Sequence, residues 1–284
     1  MQLFASAIQV PPIKAENLFN LGPIVVRNST LLGAVVLICS TIFLIWVTKK
    51  ISIRPTKNRL AAAVEAICDY VMTLMTEVIG DRRRALKYAP LVLTLFFLIL
   101  LNNWAGLLPG VGHSLLAHTH EGHVPFLRGF TSDLNSTLAL ALVTMFLVQV
   151  YSIKELGGLG YFKHFFTDKP YNPINLFVGL LELLGEFTKV MSLSLRLFGN
   201  IFAGEVLLFV ITSITGYLAP VATMPFVLME MFAGFIQAFV FAMLTLVYLT
   251  IATSKHDDHE AETAHIKHDL STAVTKNKVL VASD

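Results

Sequence analysis

Charge is scarce in this chain. Only 14% of its 284 residues are Asp, Glu, Lys or Arg, against 55% hydrophobic. A soluble protein of this length could not dress its surface with so little charge, so soluble classes are excluded and a polytopic membrane protein is indicated. Two cysteines, Cys39 and Cys68, are too few for a disulfide framework and lack metal-ligand spacing. Both read as small buried hydrophobes. No phosphate-binding glycine loop and no nucleophile arrangement occurs, so no catalytic residue is expected here. The first 30 residues have no basic start, apolar core and small-residue cleavage site of the secretory kind. The first apolar run is therefore expected to stay in the protein and act as its own insertion signal.

What is present is apolar runs of bilayer length, which need about 20 residues each. They predict an all-α polytopic fold with about five crossing helices, at 31–48, 90–108, 134–153, 174–215 and 221–253. Residues 1–30 form an outer N-terminal segment, 31–253 the membrane domain, and 254–284 a polar cytoplasmic tail with no sustained pattern. Lys49, Lys50, Arg54, Lys57 and Arg59 follow the first run, and Arg82, Arg83, Arg84, Lys87 and Lys154 mark the same side. Positive loops stay inside, which places the N-terminus outside and the C-terminus in the cytoplasm. The outer loops hold mainly Arg27 and Arg128. Between them, residues 60–80 sort Glu65, Asp69, Thr73, Thr76 and Glu77 to one arc, with Leu60, Ile67, Val71, Leu74, Met75 and Val78 opposite. That pattern predicts an amphipathic helix at the inner surface or against a partner. The run 174–215 contains no proline. As one helix it would be on the order of 60 Å long, twice the bilayer core, so it must tilt or break.

Arg196 stands in the middle of that run. A guanidinium at the bilayer centre is unfavourable by roughly 2.5–3.5 kcal/mol or more, so such a residue marks function by default. Arginine also keeps its proton in practice, which makes it a fixed charge and not a relay. On an ideal wheel Ser192, Asn200, Lys189 and Glu182 lie within about 40° of it, in one polar stripe toward the cytoplasm. Glu205 lies about 180° around and roughly 13 Å further out. On the last, antiparallel helix, Glu230, Gln237 and Tyr248 share a face. Glu230 is expected to meet Glu205 at similar depth, and Gln237 to come level with Arg196. Two close carboxyls in low dielectric cannot both ionise comfortably, so the pair is expected to hold an exchangeable proton.

The segments Ser194-Leu-Arg196-Leu-Phe-Gly-Asn200-Ile-Phe-Ala-Gly-Glu205, Phe235-Ile-Gln237-Ala-Phe-Val-Phe-Ala-Met-Leu-Thr-Leu-Val-Tyr248 and Ser132-Asp-Leu-Asn-Ser-Thr137 resemble the subunit a family of F-type ATP synthases. The resemblance runs from about residue 61 to 253. It implies a proton-translocating stator with two offset half-channels, in the inner membrane of a bacterium. Arg196 would face the carboxylates of a c-type proteolipid rotor ring. Glu205 would belong to the outer half-channel, with supporting roles for Glu230, Asn200, Gln237, Ser192 and Glu182. It further implies peripheral-stalk b subunits and other ATP synthase subunits as partners. Many bacterial members carry histidine where Glu230 stands; here both partners are acidic.

Plainer readings exist for each residue. Glu205 and Glu230 could stabilise packing by hydrogen bonding, Asn200 and Gln237 could join helices, and Glu182 with Lys189 could be an interfacial ion pair. A transporter holding an anionic substrate on Arg196 is the rival from another class, but the inverted repeats of transporters are missing. His113, His118, His120 and His123 lie in the outer loop, and His256, His259, His265 and His268 in the tail. Their order matches no metal site, so no metal, no cofactor and no nucleic-acid partner is expected.

Overall fold

The computed structural model describes residues 17–21, 24–50, 59–108, 111, 116–119, 122–125, 127–156 and 173–281. Within these, the side chains of residues 17–26, 50, 116–125, 156, 173–176, 178, 182 and 254–281 lie outside the description. Among the described residues six helices carry the fold: α1 Asn28–Lys50, α2 Arg59–Ile79, α3 Arg82–Gly106, α4 Leu134–Leu156, α5 Pro173–Thr215 and α6 Ala219–Val281. The all-α membrane architecture expected from the apolar runs is what the chain adopts. Two short antiparallel hairpins accompany it, β1 Asn17–Leu21 with β2 Ile24–Arg27, and β3 Leu116–Thr119 with β4 Gly122–Pro125. Both lie in the segments between or before the helices, where backbone groups need partners of their own.

Among the described residues, four stretches are long and apolar enough to cross a membrane: Asn28–Lys49, Arg82–Gly106, Leu134–Glu155 and Gly179–Thr253. The last holds both α5 and α6, joined by a 3-10 turn at Gly216–Leu218. Gly216 opens that turn with φ +53°, a conformation side chains resist. Large apolar residues on α1 remain exposed, Val35, Ile38, Ile42 and Trp46 among them. In a span such surface is covered by lipid and needs no protein partner.

The structure moves two boundaries. The crossing helix expected from residue 90 begins at Arg82 and passes through Pro90. Asp81 caps it, its Oδ1 accepting from Arg83 N at 2.8 Å, while Gly80 ends α2 with φ +76° and donates to Thr76 O at 2.9 Å. A left-handed glycine followed by an Asp N-cap turns the chain in two residues. The cap therefore sets the start of α3, and the proline sits inside, with an exposed ring. The final helix likewise outruns the expected span and continues to Val281. Residues 235–281 contain no glycine or proline to stop it.

Two compact units divide the chain, residues 1–145 with 182–246, and residues 146–181 with 247–284. In the first, α2 packs on α1 and α3. Val71 and Met75 of its apolar arc are buried, but Leu60 and Val78 are exposed. Burial pushes the Cys68 thiol on this helix up from its ordinary value, and the neighbouring Asp69 and Glu65 add to the shift. The α3 helix grips α6 through Asn103 Nδ2 to Gly234 O and Trp104 Nε1 to Met231 O, both 3.1 Å, with Phe96 edge-on to Phe235. Thr137 and Ser194 hydroxyls meet at 3.3 Å where α4 crosses α5. In the second unit, Ser152 Oγ donates to Ala252 O at 2.9 Å and holds the end of α4 to α6.

Candidate functional site

One face of α5 packs against its own chain and the other is left open. Leu193, Ser194, Leu197, Ile201 and Gly204 are buried, whereas Leu195, Arg196, Gly199 and Ala203 are exposed. The helical repeat alone requires this sorting, since the buried set falls on one arc and the exposed set on the other. Arg196 thus projects from the open face, and its Nη2 donates to Ser192 Oγ at 3.1 Å. An added Cβ at Gly199 would meet nothing within 4 Å, so the surface beside the guanidinium is smooth and small.

The polar stripe expected around Arg196 divides. Ser192 stays with the arginine. Asn200 turns toward α6 and its Nδ2 reaches Ala233 O at 3.4 Å. Lys189 Nζ meets Glu186 Oε1 at 2.6 Å, an i,i+3 pair on the helix surface. The side chain of Glu182 lies outside the described residues.

The two acids lie on the enclosed side. Glu230 of α6 is 5% exposed. Its carboxyl occupies the space that a Cβ on Gly204 would need, so any larger residue beside Glu205 would have to displace that carboxyl. Glu205 in turn meets Arg128 Nε through Oε1 at 3.5 Å. Arg128, assigned by sequence to an outer loop, is only 2% exposed. The turn that follows it, Phe130–Ser132, packs against α1 and α3. No local pattern signals this pairing, because the partners are far apart in sequence and only the fold joins them.

Several buried polar atoms here have no hydrogen-bond partner among the described residues: Glu205 Oε2, Glu230 Oε1, Gln237 Nε2, Asn103 Oδ1 and Thr131 Oγ1. Buried polar groups are nearly always satisfied, so a set of this kind calls for water or an exchangeable proton. Gln237 is itself 7% exposed and faces inward from α6. The corner Phe130–Asp133 is tightly tied. Asp133 Oδ2 accepts from Ser29 at 3.1 Å and from Ser136 at 3.4 Å, and its Oδ1 from Asn135 N at 3.2 Å, capping α4. The Ser132–Thr137 motif is thereby explained as a helix start fastened to α1.

A family profile described as ATP synthase A chain matches residues 29–250, which include every one of these side chains. This chain belongs to the ATP synthase A chain family. It is similar to ATP synthase subunit a of Moorella thermoacetica, 32% identical over 84% of this chain and 95% of the relative. It is also similar to subunit a of Gloeobacter violaceus, 34% identical over 85% and 90%, and to subunit a 1 of Hahella chejuensis, 30% identical over 81% and 86%. Family membership and the apolar helices together make it a multi-pass membrane protein. This member of the A chain family keeps Arg196 on an open face of α5 and buries Glu230 against Gly204.

Proposed function

We propose that this chain is the proton-translocating stator subunit of a rotary F-type ATP synthase, working with other subunits of that complex in the inner membrane of a bacterium. The observation that carries the reading is the exposure of Arg196 on a face of α5 lined by the small residues Gly199 and Ala203. A charge that costs so much in lipid is left uncovered by its own chain only if another protein surface covers it. A c-type ring of rotor helices, each bearing a carboxyl group, supplies that surface, and small residues let it come close.

The mechanism is electrostatic. A rotor carboxyl arriving protonated from lipid meets the guanidinium, which favours its ionised form, and the proton leaves by one half-path. Once past the arginine it is reprotonated from the other half-path before it re-enters lipid, where a bare carboxylate is prohibitive. The guanidinium holds its proton, so it separates the two half-paths without passing protons between them. Glu205 and Glu230, with unpartnered oxygens in an enclosed site, suit the outer half-path. Gln237, Asn200 and Ser192 are polar supports near the arginine, and Glu182 lies toward the inner exit. One charge crossing about 100 mV yields about 2.3 kcal/mol, so several protons must pass for each ATP. The b subunits of a peripheral stalk would hold this chain still, with the amphipathic helix α2 and the basic inner loops as docking places. The N-terminus lies outside and the C-terminus inside.

Replacing Arg196 with lysine tests the reading in inverted vesicles carrying the whole complex. ATP-driven proton pumping, followed with a pH-sensitive dye, is expected to disappear while the complex assembles in normal amount. Pumping at the unaltered rate would overturn the proposal.

A further inference from the structure

Arg128 belongs to neither helix of the proposed pathway, and the mechanism above makes no use of it. Yet it is 2% exposed. A guanidinium withdrawn from water is strongly unfavourable unless paired and hydrogen-bonded. Here Nε lies 3.5 Å from Glu205 Oε1 and 3.3 Å from Ser132 Oγ, and Nη2 reaches the Ser132 carbonyl at 3.5 Å. The support behind it is rigid. Ser132 Oγ donates to Gly129 O at 2.9 Å, Asp133 is bound to Ser29 and Ser136, and the Phe130 ring fills the space where Gly33 has no side chain. The arginine is therefore presented to α5 from a fixed corner, not from a loose loop.

Glu205 is held on one side only. Its Oε1 faces Arg128, while Oε2 is buried without a hydrogen-bond partner among the described residues. The Glu230 carboxyl is packed against the adjacent Gly204, and its Oε1 has none either. We infer that Arg128 is a positioning residue of the outer half-path: it pins Glu205 through Oε1, leaves Oε2 as the proton-exchanging oxygen, and supplies the fixed charge that lets two carboxyls share one enclosed site. The chain then carries two arginines with separate duties, Arg196 toward the rotor and Arg128 toward the outer acids. This inference rests on the reading of Glu205 and Glu230 as outer half-path groups.

The test uses vesicles with the whole complex, measuring ATP-driven pumping and, by immunoblot, the amount assembled. Arg128→Ala is expected to lower pumping by about tenfold or more at unchanged assembly, as loss of orientation at a reacting group does. Arg128→Lys is expected to recover a large part of it, because an ammonium can meet Oε1 but cannot also hold Ser132. Removing one member of a buried pair can block folding. Ser132→Ala is therefore the second variant: it keeps both charges, loosens the arginine, and is expected to reduce pumping with assembly intact. An assembled Arg128→Ala that pumps normally, or an assembled Arg128→Lys that does no better than alanine, overturns the inference. If the alanine variant does not assemble, normal pumping by both Arg128→Lys and Ser132→Ala overturns it, and reduced pumping by either supports it. Arg196→Lys measured alongside separates the two ideas. Normal pumping there would sink the stator reading itself, whereas its loss with normal Arg128 variants would sink this inference alone.

Discussion

Glycine 204 shows how little room the acidic site has. A methyl group there would occupy the place of the Glu230 carboxyl, so Gly204→Ala is expected to push Glu230 aside and lower proton pumping by about tenfold. Shortening the acid should relieve the clash, so the double variant with Glu230→Asp is expected to pump faster than Gly204→Ala alone. Equal rates would mean the two residues do not compete for space in the working protein. Glu230→Gln keeps the shape and removes the exchangeable proton. It is expected to slow pumping at normal assembly, and unaltered flux would return Glu230 to a packing role. Asn200 illustrates the opposite outcome. It sits beside Arg196 on the wheel, but its amide turns to Ala233 O, so wheel proximity did not become contact.

At the scale of elements, the α2–α3 corner depends on two residues. Gly80 adopts φ +76° and Asp81 caps the next helix. Asp81→Ala is expected to destabilise the corner by about 1 kcal/mol. Gly80→Ala is expected to do so by about 1–2 kcal/mol, because a Cβ is strained in that conformation. The temperature at which the detergent-solubilised protein aggregates reads both, and Gly80→Ala should show the larger fall. The same corner explains why α3 starts before the span that hydropathy marks. Hydropathy begins the span at Pro90, where charge ends, but the cap begins the helix at Arg82. Charged residues are unwelcome in lipid yet good helix formers, so the crossing segment and the helix need not coincide.

For the whole molecule, the positive-inside pattern predicts which ends face water on each side. Tyr217, fully exposed in the Gly216–Leu218 turn, should lie outside, and Lys154 at the end of α4 should lie inside. A single cysteine placed at 217 is expected to react with a membrane-impermeant maleimide added from outside, and one at 154 only from the cytoplasmic face. The reverse pattern would invert the topology. Gentle solubilisation is also expected to bring down a ring of small carboxyl-bearing subunits with this chain. Its failure to appear with an otherwise intact complex would remove the surface that Arg196 needs.

The hydropathy and charge pattern by itself settled the helical membrane class and the place of Arg196 within an apolar run. These depend on local composition: a lipid-crossing helix satisfies its own backbone and is written in consecutive residues. The motif around Arg196 was legible for the same reason, lying within a few turns of one helix. Only the tertiary structure decided which face of α5 stays open, that Gly204 admits Glu230, and that Arg128 is buried against Glu205. Those contacts join residues distant in sequence, and long-range packing, unlike local pattern, leaves no periodic trace in the chain.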